Sequence, residues 1–424
     1  MYETPETKIL NQLNTIQNQC LRACTGAFKS SPAASLCVEA GVPPLKYSRD
    51  IVCLNFFFKT LALQDLPTHQ VLVGSPETEP PPKREYIDSL ITHYQVRTPK
   101  ILSYSVPEKP PWTHSQVKVC PFIEVTKSNR PNEEVRAEFL SHLGNHPTNH
   151  IYTDGSKMNQ GVGFAAVTQN NTNSGGLPAE ASIFTAELYA IRVSLNNIIE
   201  GGERGDNFTI FSDSRSALLA LKKSSTRSPL VGEIKELIHR ARTKNVEIEL
   251  CWVPGHANIA GNERADAAAK QAAITSNQTL EGAIPHTDMK QQVKDVVFRR
   301  WQQDWNSLGQ EGRKLRQIKQ DVGIWRSSEN KSRRIETALT RLRIGHTNMT
   351  HSYLMQGQAN PPECEVCSEI ITVKHLLLSC SKYRQARNKH LNNLTISQIL
   401  AEGNNFSSER LINFLKETNL LAKI

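Results

Sequence analysis

The segment from residue 149 to residue 276 alternates short apolar runs with longer amphipathic runs, and this alternation limits the possible folds more than any other feature. Its first two runs, 149–154 and 162–167, are joined through an Asp154-Gly155 turn signal, so we expect a β-hairpin. The later runs predict helices at 183–199, 214–223, 230–244 and 262–273 and strands at 208–212 and 246–253. A hairpin followed by alternating helices and strands predicts a mixed α/β layered domain.

The chain outside this segment predicts further helices and a linker. A length of 424 residues suggests two or three domains. Residues 1–66 predict a helix-rich region because apolar residues recur at helical spacing. Residues 67–147 predict a proline-rich linker with a short helix near 133–143. We therefore expect the α/β domain at 148–276 and a helical tail at 287–424.

The composition combines ordinary hydrophobicity with an excess of basic residues. Hydrophobic residues make up 38% of the chain, and there is no apolar run of about 18 residues, so a membrane-spanning protein is excluded. Fifty lysines and arginines against 41 acidic residues give a net charge of +9, which predicts a polyanionic partner. No basic region followed by an apolar stretch opens the sequence, so we expect an intracellular protein, nuclear or cytoplasmic.

Four acidic residues occupy positions where a metal site is a reasonable hypothesis. Asp154 and Asp213 end predicted strands, whereas Glu187 and Asp266 lie in predicted helices. Mg²⁺ prefers oxygen ligands, and two such ions about 4 Å apart support in-line displacement at a phosphodiester. Taken singly, each residue also has an ordinary explanation as a turn aspartate, a helix cap, an exposed helical acid or a first-turn acid.

The strings YTDGS, FTAELYA, FSDSRSAL and WVPGHANIAGNERADAAAK occur in this order and resemble the type 1 ribonuclease H family. The resemblance implies a ribonuclease H-like mixed five-stranded sheet flanked by helices. It also implies that Asp154, Glu187, Asp213 and Asp266 hold two Mg²⁺, with Mn²⁺ as a substitute. His256 would then assist proton transfer or product departure from a mobile loop, which suits an imidazole near neutral pH. Alternatively, His256 only caps a turn.

The implied substrate is an RNA/DNA hybrid, of which the RNA strand is hydrolysed. Uncharged polar residues that could read 2′-hydroxyl groups in the minor groove are Ser156, Asn159, Gln160, Asn196 and Asn197. Solvated turn residues are an equally good explanation for them. Residues similar to the basic handle of some family members are Lys222, Lys223, Arg240 and Arg242. Such contacts to phosphates give affinity without sequence preference.

Nothing in the flanks indicates a contribution to this site, so we expect residues 145–280 to suffice for hydrolysis.

The tail contains a C-x2-C-x7-H-x4-C pattern formed by Cys364, Cys367, His375 and Cys380. Three thiolates and one imidazole predict a closed, structural Zn²⁺ site that would supply folding energy to a short segment. Two unrelated cysteines near a buried helix are the alternative. An odd total of nine cysteines without a secretory signal favours metal and free thiols over disulfides.

The flanks widen the resemblance. Residues 13–45, the PPW string at 110–112 and residues 333–355 with the Cys/His pattern look like the C-terminal part of jockey-like non-LTR retrotransposon polyproteins, after the polymerase palm. No paired-aspartate polymerase motif is present, so we expect no DNA synthesis. Two rival hypotheses are a catalytically decayed nucleic-acid-binding module and a transposase or integrase nuclease. The four acidic positions favour an active ribonuclease H.

Overall fold

The computed structural model describes residues 7–73, 82–103, 116–120, 131–143, 149–201, 205–224, 226, 228–275, 282–309, 312–324, 332–392, 394–401 and 405–424. Helices α1 to α17 cover Thr7–Thr25, Ala33–Ala40, Leu45–Ala62, Pro67–Val73, Pro82–Tyr94, Asn132–Leu143, Ile183–Gly201, Arg215–Lys222, Pro229–Thr243, Ala260–Thr275, Met289–Ser307, Arg313–Arg316, Arg333–Ile344, Asn348–Met355, Arg384–His390, Ile396–Leu400 and Asn405–Glu417. Strands β1 to β6 cover Lys118–Val119, Asn149–Lys157, Val162–Val167, Thr172–Leu177, Asn207–Ser212 and Glu247–Trp252. None of these helices combines the length and the apolar character that crossing a bilayer requires.

The chain forms two compact units. One contains Met1–Cys53 together with Lys294–Ile424, and the other contains Leu54–Val293. The predicted α/β domain therefore lies within the second unit, and the Cys/His pattern lies in the first. The boundaries of the four domains drawn from the sequence stay a prediction.

The described part of residues 67–147 contains three helices, α4, α5 and α6. Helices α4 and α5 begin at Pro67 and Pro82. Proline suits the first turn of a helix because its missing N–H would have no partner there. Pro82, which we interpreted as a sign of extended chain, therefore begins a helix instead. Helix α6 agrees with the short helix expected near 133–143, and the PPW string lies outside the described residues.

The sheet in the second unit has the strand order β1-β6-β5-β2-β3-β4. Strands β2, β3 and β4 are antiparallel neighbours, whereas β2, β5, β6 and β1 pair in parallel. The sheet therefore has the predicted mixed character but six strands instead of five. The alternation of apolar runs did not predict β1 or β4, because β1 has only two residues and β4 is polar and glycine-rich.

The turn predicted at Asp154-Gly155 is wrong. Strand β2 continues through both residues to Lys157, and the chain reverses afterwards, where the Met158 amide donates to the Gly161 carbonyl at 2.9 Å. A Cβ atom on Gly155 would lie 2.5 Å from the backbone nitrogen of Glu187. The glycine is thus required by the close approach of helix α7 to the strand, and not by a turn.

Helix α10 also lies unusually close to the sheet. Its buried face consists largely of alanines, including Ala265, Ala269 and Ala273. A Cβ atom on Gly163 of β3 would overlap the backbone of Ala269 and Ala273. Small residues on both elements therefore fix the distance between this helix, which carries Asp266, and the strands.

The described tail has its own core in the first unit. Buried apolar residues come from α13, α15, α16 and α17 and from the segment that contains Cys364 and Cys380. The helical tail with a small Cys/His segment, which the sequence predicted, therefore packs as one cluster.

We expect Gly163→Ala to destabilise the second unit by about 1–3 kcal/mol, because the new methyl group meets backbone atoms that cannot move cheaply. Gly232→Ala in helix α9 is the matched control. Among the described residues, no atom outside the neighbouring backbone of helix α9 itself lies within 4 Å of a Cβ at Gly232, so alanine should stabilise that helix by up to about 1 kcal/mol. Urea unfolding monitors both variants, and equal stability of the two would contradict the packing described above.

Candidate active site and Cys/His cluster

Three of the four predicted acidic residues converge in the structure. Carboxylate oxygens of Asp154, Glu187 and Asp213 all lie within 4.8 Å of one another. Parallel pairing places Thr153 opposite Ser212, so the residues that follow them, Asp154 within β2 and Asp213 just after the end of β5, fall at neighbouring positions. Helix α7, held against β2 at Gly155, brings Glu187 to the same point. Two strands and one helix therefore build the acidic cluster.

Backbone contacts fix the chain at Asp213. Its carbonyl accepts hydrogen bonds from the Trp252 indole at 3.1 Å and from the Arg215 amide at 3.0 Å. A Cβ atom on Gly255 would lie 2.5 Å from Asp213 Oδ2. Any other residue at position 255 would displace this carboxylate, which explains the glycine before His256.

The acidic cluster is poorly solvated and its charges repel one another. Asp154 and Glu187 are each only 6% exposed. Burial, followed by the charges of Asp213 and Asp266, raises the pKa of Asp154 to about 8. Burial and the charges of Asp154 and Asp213 raise the pKa of Glu187 well above its ordinary value, against a hydrogen bond from the Gly155 backbone.

These residues fit a divalent cation. Glu187 Oε2 is buried and has no hydrogen-bond partner among the residues that the structure describes. An unpartnered carboxylate oxygen facing two further carboxylates is unfavourable in the absence of positive charge. Oxygen donors alone match the preference of Mg²⁺ and Mn²⁺. The cluster is therefore an acidic triad that could hold Mg²⁺.

Asp266 lies outside this group of three. It is 20% exposed, and its Oδ2 accepts a hydrogen bond from Lys270 at 2.7 Å, one helical turn later. Asp266 is nevertheless near enough to raise the pKa of Asp154, while Lys270 lowers it. Its role as a fourth ligand stays a prediction. Lys270 was missed because an i,i+4 ion pair on a helix is an ordinary surface feature.

His256 is exposed on the loop between β6 and α10. Its backbone is in the left-handed region with φ of 55°, and Asn258 has the same value. The side chain of Asn132 donates to the His256 carbonyl at 3.5 Å. The exposed imidazole is consistent with the predicted role in proton transfer, which stays a prediction.

The predicted substrate contacts differ in accessibility. Asn159, Gln160 and Asn197 are exposed, Asn196 is half-buried and Ser156 is 8% exposed. Asn197 accepts a hydrogen bond from Asn173 of β4 at 3.4 Å, a partner that the sequence did not indicate.

The predicted basic handle has the same mixed character. Lys222, Lys223 and Arg240 are exposed, whereas Arg242 donates to the Gln116 carbonyl at 2.8 Å. These contacts to nucleic acid stay predictions.

A distant acidic residue orients the helix that carries Glu187. The Asp288 carboxylate accepts from the Ser182 amide at 2.9 Å and from the Ser182 hydroxyl at 3.1 Å, immediately before α7. An acidic group at this end complements the helix dipole. No local pattern could identify Asp288, since it follows Ser182 by 106 residues.

The four predicted zinc ligands come together in the first unit. Cys364, Cys367, His375 and Cys380 place their ligand atoms within 4.8 Å of one another. Cys380 Sγ lies 3.8 Å from Cys364 Sγ and 4.0 Å from Cys367 Sγ. Sulfur atoms bound at about 2.3 Å around a tetrahedral zinc are separated by about 3.8 Å. None of the nine cysteines forms a disulfide, so this cluster could hold zinc.

The surroundings of His375 in this cluster are suited to metal binding. His375 Nδ1 lies 2.8 Å from Glu369 Oε2, an arrangement that commonly orients metal-binding histidines. His375 Nε2 is buried and has no hydrogen-bond partner in the described part of the chain. The neighbouring imidazole lowers the pKa of Cys364 to about 6, which favours the thiolate that zinc binds. Glu369 was not predicted, since it stands between the ligands without a motif of its own.

Comparison with protein-family models agrees with the geometry of the second unit. Residues 146–274 match the family model described as RNase H, so an RNase H domain occupies this part of the chain. The predicted ribonuclease H-like α/β sheet is confirmed. No curated protein matches the chain. Among solved structures, RNase H1 from the halophilic archaeon Halobacterium salinarum NRC-1 is 24% identical over 29% of this chain and 96% of that chain, with a TM-score of 0.23.

The raised pKa of Asp154 predicts opposite effects of pH and Mg²⁺ on stability. An unfolded aspartate loses its proton near pH 4, whereas folded Asp154 keeps it to about pH 8. The folded state therefore binds more protons between these values, and the free energy of unfolding without metal should fall as pH rises. Mg²⁺ should raise Tm more at pH 8 than at pH 5, because the cation replaces the proton.

The matched variants are Asp154→Asn and Glu200→Gln, which removes an exposed carboxylate outside the cluster. Asp154→Asn should reduce both the pH slope and the stabilisation by Mg²⁺, and Glu200→Gln should change neither. Differential scanning calorimetry measures both quantities. Identical Mg²⁺ responses of the two variants would argue against a metal site at the acidic cluster.

The Cys/His cluster predicts about one zinc per chain in metal-replete protein, since four ligands close a tetrahedral site. Cys364→Ser with Cys367→Ser should abolish zinc binding and increase proteolysis of the tail. Cys20→Ser with Cys24→Ser, which changes two exposed free cysteines, is the control. Atomic emission measures the metal, and zinc-free wild-type protein would rule the site out.

Proposed function

We propose that residues 146–274 form a Mg²⁺-dependent endonuclease that hydrolyses the RNA strand of RNA/DNA hybrids. The observation that carries this proposal is the convergence of the Asp154, Glu187 and Asp213 carboxylates within 4.8 Å, inside the segment that matches the RNase H family. Three carboxylates from separate places in the chain, of which Asp154 and Glu187 are buried, have no evident structural purpose, because their mutual repulsion opposes folding.

The residues would divide the work as follows. Asp154, Glu187 and Asp213 would hold two Mg²⁺, with Mn²⁺ as a substitute, and Asp266 would be a further ligand. When bound, such ions supply the positive charge that stabilises an in-line displacement at phosphorus. His256, which is exposed, would accept or donate a proton at its imidazole during hydrolysis or product departure.

The hybrid would be recognised outside the acidic cluster. Exposed side chains of Asn159, Gln160 and Asn197 are accessible to a minor groove, and 2′-hydroxyl contacts distinguish RNA from DNA. Ser156 and Asn196, which are less exposed, would contact the hybrid only where it comes closest to the protein surface. Phosphate contacts would come from the basic handle, which consists of Lys222, Lys223, Arg240 and Arg242.

The surrounding chain suits a retroelement protein. The resemblance of residues 13–45 and 333–355 to the C-terminal part of jockey-like polyproteins supports this origin. In such an element the nuclease would remove template RNA after reverse transcription. The Cys/His cluster would hold a structural zinc, with no open position for catalysis.

Asp213→Asn should reduce Mg²⁺-dependent cleavage of a labelled hybrid by several orders of magnitude, because an amide cannot balance the charge of the ions. His256→Ala should slow turnover by only about 10²-fold, since the histidine would move protons and bind no metal. Gel electrophoresis of the cleaved RNA measures both, and circular dichroism confirms folding.

Glu233→Gln is the control, since Glu233 pairs with Arg192 outside the acidic cluster. Wild-type rates in folded Asp213→Asn would reject the assignment of the metal site. A decayed, non-catalytic module would instead show no cleavage in the wild-type chain.

A further inference from the structure

Helix α6 precedes the family-matched segment, yet it is packed within the same unit. It spans Asn132–Leu143, whereas the match begins at residue 146. Val135 and Phe139 on this helix are completely buried, and the next residue, Leu140, is 45% exposed. One face of α6 is therefore part of a core, although no sequence pattern predicted this.

Phe139 reaches the strands that carry the acidic cluster. Its ring centroid lies 5.5 Å from that of Phe211 at an interplanar angle of 81°. Phe211 stacks on Tyr152, with centroids 4.9 Å apart. Tyr152 precedes Asp154 by two residues within β2, and side chains two residues apart along a strand share a face. Phe211 lies two residues before Asp213, which follows the end of β5. A column of three aromatic rings thus supports the strand ends on the face of Asp154.

The first residue of α6 reaches the loop of His256. The Asn132 side chain donates to the His256 carbonyl at 3.5 Å. Asn258 has φ of 55°, which asparagine adopts readily. His256 also has φ of 55°, a conformation that costs energy in most residues with a Cβ atom and persists when the surroundings hold it. Asn132 is one such restraint, supplied from outside the family-matched segment.

We propose that helix α6 is a positioning element of the candidate active site. This proposal rests on the proposed function. Phe139 supports the strand ends that carry Asp154 and Asp213, and Asn132 restrains the loop that carries His256. We expected residues 145–280 to suffice for hydrolysis. On the present proposal that segment, which lacks α6, would hydrolyse a hybrid more slowly than the full chain.

The first test compares Phe139→Ala with Leu140→Ala in the full chain. Displacement of catalytic groups by a fraction of an ångström lowers turnover strongly. Phe139→Ala should therefore reduce kcat on a hybrid by roughly 10-fold, with KM nearly unchanged, and Leu140→Ala should leave both constants unchanged. Phe139→Leu keeps an apolar side chain and should show a smaller loss of kcat in a folded protein, which serves if Phe139→Ala does not fold.

The second test compares Asn132→Ala with Glu133→Ala, its exposed neighbour. Loss of one hydrogen bond should lower kcat about threefold, and Glu133→Ala should not. In the His256→Ala background, Asn132→Ala should cause no further loss, because both changes act through one loop. Hydrogen exchange at residues 255–258 should be faster in Asn132→Ala alone, which a general loss of stability would not confine to this loop.

Each outcome decides between the claims. Unchanged kcat in Phe139→Ala and Phe139→Leu, or additive losses in Asn132→Ala with His256→Ala, would overturn the positioning role while leaving the proposed function intact. A wild-type chain without hybrid cleavage would contradict the proposed function instead. In that case hydrogen exchange still tests whether Asn132 restrains the loop that carries His256. Equal exchange rates at residues 255–258 in wild type and Asn132→Ala would show that it does not.

Discussion

The second unit holds three carboxylates within 4.8 Å of one another against their mutual repulsion. The rest of its architecture has to meet this constraint. Asp154 and Glu187 are buried, so water cannot screen their charges, and protons or cations must compensate them. Left to themselves, flexible chains would separate such groups. The parallel pairing of β2 with β5 and the approach of α7 prevent this separation, so the fold keeps a high affinity for positive charge at one point.

Close packing at three glycines holds the elements around the acidic cluster in place. Gly155 allows α7 to pack closely against β2, Gly163 allows α10 to pack closely against β3, and Gly255 leaves room for the Asp213 carboxylate. A methyl group at any of these positions would meet a neighbouring atom at 2.5 Å or less, which real structures avoid. The glycines therefore set the geometry of the acidic cluster as directly as the carboxylates supply its chemistry.

The sequence predicted the acidic cluster because its members stand in short strings with a recognisable order, and the zinc ligands because their spacing is local. It placed a turn at Asp154-Gly155, since a dipeptide does not reveal that a helix packs against its glycine. It could not identify Asp288 or Asn132, whose partners are more than 100 residues away. Local patterns thus identified the chemical groups, whereas the contacts that position them depend on tertiary structure.

The most direct measurement uses three duplexes with the RNA strand or one DNA strand labelled: an RNA/DNA hybrid, double-stranded RNA and double-stranded DNA, each with and without Mg²⁺. If the acidic cluster serves an RNase H active site, the full chain will cleave only the RNA of the hybrid, and only with the metal present. Metal-independent cleavage, equal cleavage of double-stranded DNA, or no cleavage by folded protein would contradict this account.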